Sequence, residues 1–316
     1  MTTDARPEPT PDESGVLRAL PRRKPIASLK RDAQPERNAR LVLPVPSFAR
    51  TVVRLVAWVM VALRVLFTLR PVDRLEPAER AARARRLREI VQAMGPFAVK
   101  IGLQVAWRFD LVSTEVALEL AHLDDRMEPF ALRDAAARIE AAAGRPMREV
   151  FRAFDPQPIN STVLACEYQA ETHDGRKVVV KVRRPGVRRS IAAEVYALRA
   201  LLGVAEWFAL ARGAFFTQIE QGIEAFLLEE ADFRVQARFQ NIFRQRAKRD
   251  ALKFVTAARV YTDILSDAVM VSEFVSGVWL GEVIAAQRSD DPRALAELAR
   301  RGVEPKKLAR DLLQTA

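Results

Sequence analysis

The sequence is poor in the residues that build several common kinds of site. It contains one cysteine, Cys166, so no disulfide can form within the chain, which fits a reducing compartment. Its two histidines, His122 and His173, lie far apart, which argues against a histidine-based metal centre and against a Ser-His-Asp triad. No uncharged apolar run reaches the roughly 20 residues that a membrane-spanning helix needs. Ala, Leu and Arg are abundant instead, which favours a mainly helical chain.

The charge is strongly one-sided. The formal net charge is +11 and the pI is about 10.3, a balance that favours anionic partners. Nucleic acid is not predicted, because the sequence has no zinc-ligand spacing, no aromatic strand motif and no clear helix-turn-helix. Acidic lipid headgroups and phosphates remain as the expected partners.

Two N-terminal segments differ sharply in composition. Residues 1–46 combine Pro and Arg with acidic residues and lack apolar periodicity, which predicts a disordered basic tail. No apolar h-region follows the start, so these residues do not resemble a secretory signal.

Residues 47–71 are strongly apolar but carry three arginines. On a helix, Arg50, Arg54 and Arg64 fall within an arc of roughly 80°. This pattern fits a helix that lies in a membrane interface, with the arginines contacting anionic lipid. It fits equally a buried scaffold helix whose arginines reach solvent. Both alternatives stay open on the sequence.

The rest of the chain predicts helices, a short sheet, and helices again. The alternating, β-branched residues on either side of His173–Arg176 predict a β-hairpin. The other predicted helices are Pro77–Met94, about Thr114–His122, Leu132–Ala143, Met147–Ala153, Arg188–Arg212 and Phe216–Asp250, and the other predicted strands are about Phe254–Tyr261 and Ala268–Phe274. The pattern is that of an α+β protein.

A series of segments carries a resemblance to a known family. The quoted segments are "GPFAVKIGLQ", "ELAHLDDRMEPF", "GRPMREVFRAFDPQPI", "DGRKVVVKVRRPGV", "EEADFRVQARF" and "VMVSEFVSG". In this order the sequence resembles the UbiB (AarF/ADCK) family of atypical kinase-like proteins, from about Arg74 to Ala316. The resemblance implies a helical extension with a KxGQ-like motif over residues 72–157 and a kinase-like small lobe over 158–278. Residues 279–316 would be helices that lead toward a large catalytic lobe, which these residues lack.

The resemblance also implies site residues. Lys181 would bind the phosphates of ATP, with Mg as the accompanying ion, and Glu273 with its backbone would form the adenine hinge. The remaining positions implied by the family's motifs are Ser161 and Thr162 in the nucleotide loop, Gln236 beside Lys181, Lys100 and Gly102 in the extension, and the E-x-D acids Glu230 and Asp232. No catalytic residue and no protein metal ligand is implied.

Several positions depart from the family's pattern. Leu103 replaces the glutamine of K-x-G-Q, and Gln104 would face elsewhere because one helical residue turns about 100°. The alanine-rich nucleotide loop is "INSTV" here. Gln236 stands where a glutamate would pair with the lysine, so the bond loses charge assistance. Glu194 is an acid on a nearby predicted helix that could substitute for that glutamate.

The catalytic residues of the large lobe are missing from the sequence. It has no D-F-G string, whereas phosphoryl transfer needs metal ions and a group that positions the nucleophile. We therefore expect no catalysis by this chain alone. It could be a truncated or split gene product, a genuine half-protein, or a decayed one.

Two functions follow from these expectations. The first is a UbiB-like kinase or ATPase linked to ubiquinone biosynthesis or membrane lipid metabolism. The second is a non-catalytic, pseudokinase-type scaffold at a membrane. Either would have a missing lobe or a partner protein, and would lie in the bacterial cytoplasm, peripheral to the inner membrane.

Overall fold

A computed structural model describes residues 43–68, 76–110, 112–207, 213–250, 252, 254–289 and 291–315. The predicted tail lies outside these residues, except for its last four positions. In the described ranges the α+β class is confirmed. Along the chain, helices come before and after the strands of a short antiparallel sheet.

The N-terminal part is helical, and its helices begin and end at expected signals. Pro residues open two of them, where the missing N–H costs nothing. Ser113 caps another by accepting a hydrogen bond from the N–H of Val116, and Gly144 closes the next at a φ of 67°. These elements are α1 (Phe48–Thr68), α2 (Pro77–Ala93), α3 (Pro96–Val105), α4 (Thr114–Leu120), α5 (Leu132–Ala143) and α6 (Met147–Val150).

The sheet has five strands in the order β1-β2-β3-β5-β4, and each neighbouring pair is antiparallel. The predicted hairpin is confirmed, and Gly175 occupies its turn at a φ of 81°. The strands are β1 (Phe151–Ser161), β2 (Ala165–Thr172), β3 (Lys177–Arg183), β4 (Val260–Tyr261) and β5 (Val269–Glu273).

The first strand corrects a prediction. The sequence favoured a helix through Ala153, but the helix ends at Val150 and β1 begins at Phe151. β1 holds Pro156 and Pro158, which lack the N–H that a central strand needs. The sheet accommodates them at its edge, where the register with β2 shifts three times.

The C-terminal helices also differ in one place from the prediction. The helix expected over Phe216–Asp250 is two helices, because Asp232 leaves helical geometry and caps the second. The predicted strand at Phe254–Tyr261 shortens to two residues. The helices are α7 (Val187–Trp207), α8 (Gly213–Ala231), α9 (Phe233–Arg249), α10 (Leu280–Ser289), α11 (Pro292–Arg300) and α12 (Pro305–Thr315), with a 3-10 turn at Thr262–Ile264.

The two faces of the sheet pack against different helices. Val178, Val180 and Val182 of β3 lie in one core with Ala135 and Ile139 of α5. The opposite face buries Ala165 and Met270 with Phe233 and Ala237 of α9, among other residues. Among the described helices, none is both long enough and apolar enough to cross a bilayer.

Candidate functional site

Lys181 lies on an inner strand of the sheet, as predicted. β3 is hydrogen-bonded to β2 on one side and to β5 on the other. Strand side chains alternate between faces, so the buried valines at 178, 180 and 182 turn Lys181 to the face covered by α9. The side chain keeps 23% of its surface exposed.

Three side chains surround the ammonium of Lys181. Its Nζ donates a hydrogen bond to Oε1 of Gln236 at 3.1 Å, and Oε1 of Glu167 lies 3.5 Å away. The ring centroid of Phe233 is 5.3 Å from Nζ. The predicted contact with Gln236 is therefore present, and the amide holds the lysine without neutralising it.

The sequence reasoning missed Glu167. This glutamate pairs directly with Lys181 in the β2–β3 register, and such opposite positions place side chains side by side. The hairpin turn sets this register, so counting back from Gly175 could have found it. Glu167 supplies the negative charge that Gln236 does not.

A chain of polar contacts joins the helical extension to the lysine. Nε2 of Gln236 donates to the backbone oxygen of Glu230 at 2.7 Å. The carboxylate of Glu230 pairs with Nζ of Lys100 at 3.2 Å, which brings α3 against the end of α8. The structure thus brings together Lys100, Glu230, Gln236 and Lys181.

Asp232 has a local role in this arrangement. Only 2% of its surface is exposed, and Oδ1 accepts a hydrogen bond from the N–H of Arg234 at 3.0 Å. Its other carboxylate oxygen lies 2.7 Å from the guanidinium of Arg234. The carboxylate is the N-cap of α9, and Gln236 follows one turn later. Asp232 therefore fixes the start of the helix that carries Gln236.

Ser161 and Thr162 lie where β1 turns toward β2. The Ser161 hydroxyl accepts from Arg184 at 3.1 Å, and the Thr162 carbonyl accepts from the same guanidinium at 3.0 Å. The next two residues of the turn, Val163 and Leu164, are buried against α7 and α8. The turn is thus held by the protein's own groups.

Glu273 ends β5 at the position predicted for the hinge. Its N–H donates to the carbonyl of Arg259 at 2.8 Å, and its Oε2 accepts from the N–H of Arg259 at 3.1 Å. Arg244 lies 3.8 Å from the same carboxylate. The side chain is half-exposed and ties β5 to the segment that leads into β4.

The K-x-G segment of α3 packs closely on its neighbours. A Cβ on Gly102 would lie 2.5 Å from Cδ1 of Leu123 and 3.0 Å from Cγ1 of Val91, so a larger residue would force the Leu123 side chain to move. Leu103 joins the same cluster, whereas Gln104 is exposed. The prediction that Gln104 faces away is confirmed.

Glu194 does not take the place of the missing glutamate. It is 5% exposed on α7, where Oε1 lies 2.6 Å from Nε of Arg54 and Oε2 accepts from Nε1 of Trp58 at 2.9 Å. The suggestion that it pairs with Lys181 is wrong, because α1 uses its carboxylate.

The three arginines of α1 have different surroundings. Arg54 also donates to the carbonyl of Met94 at 3.1 Å, so it lies on the packed side of the helix. This placement favours the scaffold alternative for Arg54. Arg50 is exposed, and the side chain of Arg64 lies outside the described ones.

Acidic and histidine side chains do not cluster as metal ligands in the residues that the structure describes. A short antiparallel sheet with a half-buried lysine on its inner strand, contacted from a capped helix, is the arrangement of a kinase-like small lobe. Fold and site together define a protein of the kinase-like class.

Comparisons with known proteins agree with this class. The ABC1 atypical kinase-like domain matches residues 122–316. "Probable protein kinase UbiB" of Pseudomonas putida strain GB-1 is 34% identical over 253 residues, which are 79% of this chain and 45% of that protein. An aarF domain-containing chloroplastic protein kinase of Arabidopsis thaliana is 34% identical over 205 residues, 64% of this chain and 29% of that protein. The chain belongs to the ABC1 (UbiB/AarF) family of atypical kinase-like proteins.

Two further comparisons concern length and fold. The match with "Probable protein kinase UbiB" of Cellvibrio japonicus, 31% identical, covers 73% of this chain and 41% of that protein. The chain thus spans less than half the length of the UbiB relatives it matches. The solved complex of Rv3197 with erythromycin, from Mycobacterium tuberculosis, is 21% identical with a TM-score of 0.42, over 61% of this chain and 47% of that one.

Proposed function

We propose that this chain is the ATP-binding small lobe and helical extension of a UbiB-like atypical kinase or ATPase. The observation that carries the proposal is Lys181, a partly exposed lysine on an inner strand whose Nζ donates a hydrogen bond to Gln236 at 3.1 Å. A lysine in this position is a point charge on a flexible stem, which suits the α- and β-phosphates of ATP.

The neighbours of Lys181 set its role. Gln236 orients the ammonium while leaving its charge for the phosphates. The side chain of Glu167 is 27% exposed. Bound phosphates would either displace its carboxylate from Lys181 or contact the lysine beside it. Glu273 and its backbone would border the adenine. Mg would arrive with the nucleotide phosphates, whose oxygens are its preferred ligands.

The chemistry itself needs further groups. We propose that the residues which position the phosphoryl acceptor and hold the metal are supplied outside these 316 residues, by a large lobe or a partner protein. The setting would be ubiquinone biosynthesis or membrane lipid metabolism, at the cytoplasmic side of a bacterial inner membrane. The support is the resemblance of the motifs and the UbiB relatives.

Binding of Mg-ATP to the full chain tests the nucleotide proposal. At a ligand concentration of about 100 times Kd, binding should add about 2.7 kcal/mol to the free energy of unfolding. Lys181→Met should remove this gain. Lys177→Met is the matched control, because Lys177 is an exposed lysine on the same strand. The proposal fails if Mg-ATP stabilises the Lys181→Met variant as much as it stabilises the wild type.

A second candidate function rests on a separate observation, the outer face of α1. Phe48, Val53, Val56, Met60 and Leu63 are between 42% and 85% exposed. At 100° per residue they share one face of about 140°. Such a face favours a helix that lies on a membrane, next to a chain of net charge +11. The chain would then act as a membrane-associated, pseudokinase-type binding protein.

Vesicle binding tests this second function without disturbing the packed side of α1. The Val56→Gln/Met60→Gln variant should bind phosphatidylglycerol vesicles much more weakly than wild type. Phe239→Gln/Phe243→Gln is the control, since both phenylalanines are exposed on α9, at 42% and 49%. Equal vesicle binding by the α1 variant and the wild type would show that the exposed face of α1 does not contact the membrane.

A further inference from the structure

A cleft of about 440 Å³ opens where β3 leaves the sheet and α7 begins. Gly186 turns the chain there with a φ of 77°, and Pro44 closes the cleft from the segment before α1. The rest of the lining is Val187 with five arginines, Arg138, Arg183, Arg184, Arg188 and Arg189. Lys181 and Gln236 are not among the described residues of this lining.

Two of the arginines are held firmly by backbone oxygens. Arg183 is 6% exposed and donates to the carbonyls of Ala231 at 2.7 Å and Asp267 at 2.9 Å. Arg184 donates to the carbonyls of Thr162 and Glu128 at 3.0 Å and 2.9 Å. Backbone oxygens and hydroxyls orient a guanidinium without cancelling its charge. Two of the five arginines that line the cleft are therefore fixed in position before any ligand binds.

The positive charge of the cleft exceeds the negative charge near it. Asp267 pairs with Arg183 at 2.7 Å, and that carboxylate also faces Arg188 and Arg234. Arg138 is half-buried on α5, and its charge is offset only partly by Asp134 and Asp267. Burial, and then the positive charge of Arg183, lower the pKa of Arg138. A cation in these surroundings is stabilised when an anion enters.

The start of α7 adds to this field. Gly186 and Val187 line the cleft, so the first turn of a 21-residue helix faces it. The N-terminal end of a helix carries a partial positive charge and favours anions. The arginines come from α5, from β3 and the residue that follows it, and from α7, so three separate parts of the chain line the cleft.

We propose that this arginine cleft is a binding site for a phosphate group, separate from the nucleotide site at Lys181. Guanidinium groups match phosphate oxygens in paired hydrogen bonds, which makes arginine the preferred residue for this anion. A volume of about 440 Å³ suits a phosphorylated small molecule or a lipid headgroup, rather than a bare ion.

The phosphate could come from a soluble molecule or from a lipid. Pro44 lines the cleft, and the next residue, Val45, is 85% exposed, as is Phe48 at the start of α1. An acyl chain would thus find apolar side chains beside the cleft. Both sources share the same chemistry at the arginines, and the experiment separates them.

Calorimetric titration of the full chain with inorganic pyrophosphate is the first test. The Arg138→Gln/Arg189→Gln variant removes two lining charges, and within the described part of the chain neither side chain makes a hydrogen bond that the change would remove. It should bind pyrophosphate at least about tenfold more weakly, since charge-assisted hydrogen bonds are lost. The charge-matched control is Arg133→Gln/Arg145→Gln, where Arg133 is 88% exposed on the same helix as Arg138. Lys177→Met, at an exposed lysine of β3, should leave this binding unchanged.

The second test repeats the series with phosphatidylglycerol and phosphatidylcholine vesicles. Pyrophosphate binding that depends on Arg138 and Arg189 supports the site and identifies a soluble ligand. A dependence that occurs only with phosphatidylglycerol supports the site and identifies a lipid. Equal weakening in the cleft and control variants with both probes would overturn the proposal, as would binding of both probes by the cleft variant as tight as by the wild type. The single Arg189→Gln change, at an exposed position, serves if the double variant does not fold.

Discussion

At the scale of single residues, Lys181 shows what an amide in place of a carboxylate does. Gln236 accepts from Nζ of Lys181 through its oxygen and donates to the carbonyl of Glu230 through its nitrogen. A glutamate could make the first contact but not the second, because a carboxylate has no donor. Gln236 thus links the lysine to the segment that Lys100 holds, at the expense of a full ion pair.

This linkage predicts energetic coupling between Lys181 and Gln236. Gln236→Leu removes both hydrogen bonds and should lower the free energy of unfolding by about 1–2 kcal/mol. In a double-mutant cycle with Lys181→Met, we expect a coupling energy of about 1 kcal/mol, measured by urea unfolding. The same cycle with Lys177 in place of Lys181 should give none. Additive effects of the first pair would show that the contact at 3.1 Å contributes nothing.

Asp267 predicts a dependence of stability on pH. Burial would raise the pKa of Asp267, but the hydrogen bond and charge of Arg183 outweigh burial and hold that pKa below its ordinary value. A carboxyl with a lowered folded pKa binds its proton first in the unfolded chain. Its contribution to stability is therefore full above about pH 4 and is lost as the pH falls through the folded pKa.

The test compares wild type with Asp267→Asn. The difference in the free energy of unfolding between the two proteins should be larger at about pH 7 than at about pH 3. Urea unfolding at both pH values measures it. An equal difference at the two pH values would mean that the charge of Asp267 is not what stabilises the end of β3.

At the scale of elements, the sequence predicted best where a single local signal decides the structure. Gly175 fixes the β2–β3 hairpin, and Gly144 ends α5. β1 was not predicted because its two prolines interrupt the residue pattern that is typical of a strand. A strand with prolines is possible here because β1 lies at the edge of the sheet. The break at Asp232 was missed because the residues on both sides remain helical, and the cap depends on a contact with Arg234 that periodicity does not reveal.

The contacts of the candidate site also divide into those that the sequence predicts and those that only the fold reveals. The contact between Lys181 and Gln236 followed from motif order, whereas Glu167 follows only from strand register. Arg54 shows the limit of helical periodicity. Periodicity places the three arginines of α1 on one arc, but that Arg54 packs on α7 depends on the buried carboxylate of Glu194. That partner lies 140 residues away in the sequence.

The packing of α1 on α7 gives a prediction at this scale. Arg54→Met leaves Glu194 buried without its cation and should cost about 3 kcal/mol of unfolding free energy. The double variant Arg54→Met/Glu194→Met should recover much of this loss, because no buried charge remains. Arg50→Met, at an exposed position of the same helix, should change stability by less than about 0.5 kcal/mol. Chemical unfolding of the four proteins measures the effect, and equal stability of Arg54→Met and Arg50→Met would contradict it.

At the scale of the whole molecule, polar contacts and apolar surfaces lie in different places. The contacts from Lys100 to Lys181 tie the extension to the sheet, and the arginine cleft adds a second concentration of positive charge. Apolar side chains are exposed on α1 and again at Val275, Trp279 and Ile284, where exposure is 68%, 81% and 44%. Exposed apolar patches mark surfaces that bind another molecule.

These surfaces predict that the chain does not stay monomeric in dilute buffer. A monomer has a mass of 35.5 kDa, and light scattering of the full chain should give a higher mass that rises with concentration. Val56→Gln/Met60→Gln should lower the average mass if α1 mediates the association. Val275→Gln/Trp279→Gln should lower the average mass if the residues just before α10 mediate it. Phosphatidylglycerol vesicles should compete with self-association only in the first case, because the membrane then covers the same face. A mass of 35.5 kDa at every concentration would mean that neither apolar surface drives self-association, which would leave vesicle binding as the remaining test of α1.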